Sequence, residues 1–88
     1  MKLIICILQD TDKDNVVNGL VDGGYRVTSL PSTGAYFRRG NTTLLIGVED
    51  EKVKPAIKVV KENCAEPEDP GIKRATLFVL NIDRFEQV

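Results

Sequence analysis

The residues best equipped for chemistry gather between positions 26 and 47. Arg38 and Arg39 stand beside Gly40 and Asn41, with Tyr36 and Phe37 just ahead of them. A guanidinium presents a fixed fork of donors to an anion, and glycine lets backbone N–H groups come close to one. Arg26 and Thr28 enter this segment two residues apart, and Thr42 and Thr43 leave it with hydroxyls. An aromatic ring can stack on a base, an interaction worth about 1–3 kcal/mol per base on single strands. A ring-binding wall beside an anion-binding turn suits a nucleotide. The same residue types suit a structural hairpin with solvated arginines, or a turn that recognises another protein, and all three readings stand at this level.

Gly47 adds a second signal. It interrupts an otherwise aliphatic run, and a glycine inside a strand marks either the close approach of a backbone or ligand, or a bulge. Lys73 and Arg74 close an acidic connector that holds Glu66, Glu68 and Asp69. They read as a charge-balanced solvated loop or, if the connector turns toward a subunit junction, as further phosphate contacts. Asp10, Asp12 and Asp14 cluster where a helix should begin, which is where caps and the helix dipole favour acids. A Mg²⁺ site there would lack a Walker lysine or any partner motif. The chain has no histidine, and Cys6 and Cys64 sit in apolar settings without CxxC spacing or an activating partner. The expectation is a protein without catalysis, cofactor or metal.

Composition narrows the class further. With 12 basic and 13 acidic side chains the formal charge is −1, so no global field draws nucleic acid. The apolar opening MKLIICIL ends at Gln9-Asp10 without a cleavage-site pattern and reads as a strand. No stretch approaches the roughly 20 apolar residues that span a bilayer. The two cysteines suit a reducing compartment, and the expected address is the cytoplasm. Asn41-Thr42-Thr43 fits the glycosylation pattern, which has no meaning without a secretory route.

The elements that must hold these residues follow from periodicity. Residues 3–8 form an unbroken aliphatic strand. Thr11 and Asp14 suggest a capping box, Val16, Val17, Leu20 and Val21 a helical stripe, and Gly23-Gly24 a stop. Residues 25–30 and 42–48 read as strands. A second helix should start near Asp50 or Glu51, with Val53, Ile57, Val60 and Cys64 on one face beside Ala56, and Pro55 tolerated near its start. Residues 65–74 form a Pro- and acid-rich connector, residues 75–82 a last strand and residues 83–88 a tail. The result is one domain, 1–88, of α+β class. Its ferredoxin-like β-α-β-β-α-β order predicts a four-stranded antiparallel sheet with both helices on one face.

Strand alternation then exposes a problem. In the third strand Leu44, Ile46 and Val48 share one face and Thr43, Leu45 and Gly47 the other. The first strand offers Leu3, Ile5 and Ile7 against Ile4, Cys6 and Leu8, and the last Leu77 and Val79 against Thr76, Phe78, Leu80 and Ile82, so both faces are apolar. Two helices can cover only one of them, which leaves the face of Thr43, Leu45 and Gly47 bare. An apolar patch of that size is rare on a monomer, which predicts assembly through the bare face.

The stretch QDTDKDNVVNGLVDGGYRVTSLPSTGAYFRRGNTTLLIGVED resembles the PII-like receptors of cyclic di-AMP, a trimeric signal-transduction family. The matching marks are Gln9-Asp10, Arg26 with Thr28, Ser32-Thr33-Gly34, the hydrophobic pair at 36 and 37, Arg38, and Gly40-Asn41-Thr42-Thr43 followed by Gly47. The stretch ATLFVLNIDRF, residues 75–85, is similar to the family's closing strand. The resemblance implies a PII-like homotrimer with ligand pockets between adjacent subunits. There Arg26 and Thr28 would meet base or phosphate, Tyr36 and Phe37 would wall an adenine, and Asn41 and Gly47 would supply polar and backbone contacts. Arg38, Lys73 and Arg74 are the possible phosphate contacts. The implied role is non-catalytic signalling, with a protein target and neither nucleic acid nor membrane as partner. One departure stands out. The family usually carries a long Gly- and Pro-rich loop before the closing strand, whereas this short-loop variant has only AEPEDPGIKR, with Lys73-Arg74 in place of a glycine pair. Another adenine nucleotide such as ATP or ADP, or a protein-interaction role without nucleotide, therefore stays open beside cyclic di-AMP.

Overall fold

The computed structural model describes residues 1–30, 40–66, 71 and 73–88. Its elements are β1 (Lys2–Gln9), α1 (Asp10–Asp22), β2 (Arg26–Leu30), β3 (Asn41–Val48), a 3₁₀ turn (Asp50–Lys52), α2 (Val53–Asn63) and β4 (Ala75–Asn81). The β-α-β-β-α-β order is the one periodicity predicts. The strands form one sheet in the order β2-β3-β1-β4, antiparallel throughout, so β2 and β4 are the edges.

Alternation along the two central strands builds the core. Ile4, Cys6 and Leu8 of β1 stand beside Leu44, Ile46 and Val48 of β3, and all six are buried under Val16 and Leu20 of α1 and Ala56 and Val60 of α2. Val53, Ile57 and Cys64 pack at its margin, as the helical stripe of α2 predicts. The end of α1 satisfies its last carbonyls through Gly24, at φ +87°. Tyr25 N–H donates to the Leu20 carbonyl at 2.9 Å, and Gly24 N–H donates to that of Val21 at 3.0 Å.

The start of α1 differs from the sequence expectation. The helix begins at Asp10 and makes no side-chain cap bond, so Thr11 and Asp14 do not form a capping box. Asp10 N–H instead donates to the Gly40 carbonyl at 2.8 Å, and a tertiary contact replaces the local cap. Val21 also leaves the predicted stripe and is 56% exposed. The buried line runs through Asp12, Val16 and Leu20, each four residues after the last, and Val21 stands about 100° round the helix from Leu20.

Two measurements check this packing. Leu20→Ala should cost about 2–5 kcal/mol in denaturant unfolding, whereas Val21→Ala should cost little; equal losses would misplace the helix face. Burial first, and neighbouring Cys64 second, push the Cys6 thiol up from 9.0 to about 12. The native chain then keeps a proton that the unfolded chain releases near 9.0, so this stability is complete below that pH and is lost as pH rises toward about 12. Between about pH 8 and about pH 10.5 the unfolding midpoint should fall further for the natural chain than for Cys6→Ala.

Candidate functional site

The face of the sheet away from the helices carries most of the described site residues. Across the edge of that face Arg26 pairs with Gly47, Thr28 with Leu45 and Leu30 with Thr43. The next strand adds Leu3 beside Gly47, Ile5 beside Leu45 and Ile7 beside Thr43. On β4, Leu80 pairs with Leu3 and Phe78 with Ile5. The open face is therefore a floor of Leu, Ile and Phe with Arg26 and Thr28, both exposed, along one margin. Phe78 and Leu80 are 52% and 47% exposed, so the bare apolar face deduced from alternation is present.

Among the described residues nothing requires glycine at position 47. Its φ is not positive, it is exposed, and a Cβ built on it would meet only Met1 Cε at 3.6 Å, ordinary contact. Beside Arg26 it leaves a notch at the sheet margin. Asn41 lies on the same face by alternation, half-buried and paired with Gln9. Six residues of strand separate Asn41 from Gly47, roughly 20 Å at the rise of an antiparallel strand. Arg26 and Gly47 thus mark one end of the face and Asn41 the other. Tyr36, Phe37 and Arg38 lie outside the described residues.

At the Asn41 end, Gly40 turns the chain into β3 with φ +88°, a conformation that favours glycine. Thr42, whose side chain is on the helix side, donates its hydroxyl to Asp10 Oδ1. Thr43 faces the open side, is 4% exposed, and its Oγ1 has no hydrogen-bond partner.

Lys73 and Arg74 are on the other side of the sheet. Arg74 donates from Nε and Nη2 to Asp12 Oδ2, at 3.1 and 2.8 Å, and Ala65 N–H donates to Asp12 Oδ1 at 3.2 Å. These contacts employ the Arg74 guanidinium within the chain, while Lys73 stays exposed. They also explain Asp12, which sequence reasoning left among helix-start acids. A carboxylate on the same helical line as Val16 and Leu20 must be buried, and a buried carboxylate needs a cation. Next to this pair, α2 and β4 enclose a groove of about 490 Å³ lined by Ile57, Val60, Cys64, Ala65, Arg74 and Leu77. Burial, followed by the Asp12 carboxylate, pushes the Cys64 thiol up, and Arg74 pulls it the other way. Neither thiol is poised as a nucleophile.

A family model described as cyclic-di-AMP receptor matches residues 1–70. The chain belongs to the cyclic-di-AMP receptor family. The match takes in Arg26, Thr28, Asn41 and Gly47 and stops before β4. The chain is also similar over its length to a solved structure, that of a functionally unknown protein from Pediococcus pentosaceus ATCC 25745. The two are 34% identical with a TM-score of 0.78, and the likeness covers 99% of this chain and 96% of that one. No helix among the described residues is long and apolar enough to cross a membrane.

The unpartnered Thr43 hydroxyl gives a direct check on the receptor's open face. Thr43→Val keeps the shape and removes a buried group that costs about 1–3 kcal/mol when unsatisfied, so it should leave the thermal midpoint unchanged or raise it. A clear drop would mean that the hydroxyl has a partner in solution.

Proposed function

We propose that this chain is a signalling receptor that binds cyclic di-AMP, without turning it over, in pockets between adjacent subunits of a homotrimer. The observation that carries this reading is the separation of Arg26 and Gly47 from Asn41. Groups roughly 20 Å apart on one strand cannot converge on one nucleotide within a single chain. Two chains meeting through their open faces can bring one end from each together. The notch at Gly47 supports the same arrangement, since nothing among the described residues requires a missing side chain there. Family membership supports cyclic di-AMP as the ligand.

Within the pocket, Arg26 is the phosphate anchor and Thr28, two residues on, a hydroxyl for base or phosphate. Tyr36 and Phe37 wall an adenine, and Asn41 closes the far end. Arg38 is a further phosphate contact in this reading, and Lys73, exposed, could add charge if the assembly brings it to the junction. Arg74 could join them only by giving up its contacts with Asp12, an expensive exchange for a buried pair. Asp10 and Asp12 hold structural contacts and the thiols stay protonated, which supports binding without chemistry. The setting is the cytoplasm, and the output is contact with a target protein.

Calorimetry with cyclic di-AMP, ATP, ADP and cyclic di-GMP, with the solution mass measured alongside, tests this. Saturable heat with cyclic di-AMP at one site per subunit of a trimer is the expected result. Heat with ATP or ADP alone would keep the pocket and change its ligand. A trimer silent toward all four would point to a protein-interaction role. Arg26→Ala removes a charged partner worth about 1.5–3 kcal/mol, so affinity should fall about 10- to 100-fold with the trimer intact. Asn41→Ala should weaken binding less, about fivefold, for one neutral hydrogen bond. Unchanged affinity in both variants would sink the pocket.

A further inference from the structure

One helical turn ties the start of β3 to the two described ends of the 65–74 connector. Asp10, the first residue of α1, binds the start of β3 twice: its N–H donates to Gly40 O at 2.8 Å, and its carboxylate accepts from the Thr42 hydroxyl. Two residues later Asp12 binds both described ends of the connector, Ala65 at 3.2 Å and Arg74 at 2.8 and 3.1 Å. Ala65 and Arg74 in turn form part of the wall of the α2–β4 groove.

The chemistry makes these ties stiff. Asp12 is buried with its cation 81% buried by side-chain exposure of 19%, so parting them would strand a charge away from water. Whatever shifts Asp12 must carry Arg74 and Ala65 with it. Asp10 and Asp12 lie within one turn of helix, where backbone geometry fixes their relation. At the other end of the linkage, adjacent residues of β3 divide the work by strand alternation: Asn41 is presented to the open face and Thr42 to Asp10.

We propose that the first turn of α1 is a mechanical link that carries displacement at the start of β3 into the wall of the α2–β4 groove. The link rests on the receptor reading for what displaces β3; the linkage itself belongs to the ligand-free chain. Asp10, Asp12 and Thr42 are positioning residues in this scheme and touch no ligand.

Amide exchange on the full ligand-free protein tests it. Thr42→Val removes the hydroxyl at nearly constant volume. The Ala65 amide, two contacts away, should then exchange about fivefold faster, the equivalent of roughly one lost hydrogen bond. The amides of Ile4 and Ile46 should be unaffected, and Thr42→Ser should restore the natural rate. In an Asp12→Ala background, adding Thr42→Val should change Ala65 no further. An Ala65 amide indifferent to Thr42→Val, or one that speeds up only in step with Ile4 and Ile46, would overturn the link. Cyclic di-AMP supplies the second arm: it should alter Ala65 exchange in the natural chain and not in Thr42→Val, with calorimetric binding retained in both. Binding without any change at Ala65 in the natural chain would also overturn it. Absence of binding would count against the receptor reading alone, because the ligand-free comparison decides the link.

Discussion

Two helices over a sheet that is aliphatic on both sides leave one apolar face without cover, and that shortage shapes the rest of the molecule. The helix side absorbs Ile4, Cys6, Leu8, Leu44, Ile46 and Val48 into a sealed core. The open side keeps Leu3, Ile5 and Leu45 half-buried, with Phe78 and Leu80 about half exposed at the β4 margin. Burial of such residues is the main source of favourable free energy in folding and association alike. The sheet has used one face for the first purpose and leaves the other open. Arg26, Thr28 and Gly47 border that second face, so in the proposed assembly ligand recognition and subunit association would share one surface.

Charge supplies a different kind of constraint at the loop end of the sheet. The Asp12–Arg74 pair adds little as a source of net stability, because desolvation offsets much of its attraction. Its effect is to specify position. Arg74 must return to α1 before β4 begins, so a connector without a long loop still starts its strand in register, Ala75 opposite Leu8. Lys73, its sequence neighbour, carries no such obligation. Two adjacent basic residues have therefore acquired different duties.

Much of this was legible in the residues. The aliphatic runs and the Gly23-Gly24 stop locate every strand and the end of the first helix, because period and backbone preference are local properties. Alternation likewise assigns Gly47 to the bare face and puts Arg26 and Thr28 on one side of their strand, since side chains two apart share a side. The register of β2 on β3 then brings the three together. What the sequence hid was tertiary. Asp12 looked like a helix-start acid because its cation is 62 positions away. The first turn of α1 looked as if it needed a cap because its donor is satisfied by Gly40, which reaches it only after two strands have paired. The readings of Tyr36, Phe37 and Arg38 lie outside the described residues.

β4 carries one more consequence. It is an edge strand with an open row of backbone donors and acceptors, and Phe78, Val79 and Leu80 are all exposed on it. Edges of this composition invite pairing with whatever strand comes near. A chain outside the proposed assembly would thus be adhesive in two ways, by its bare face and by its border.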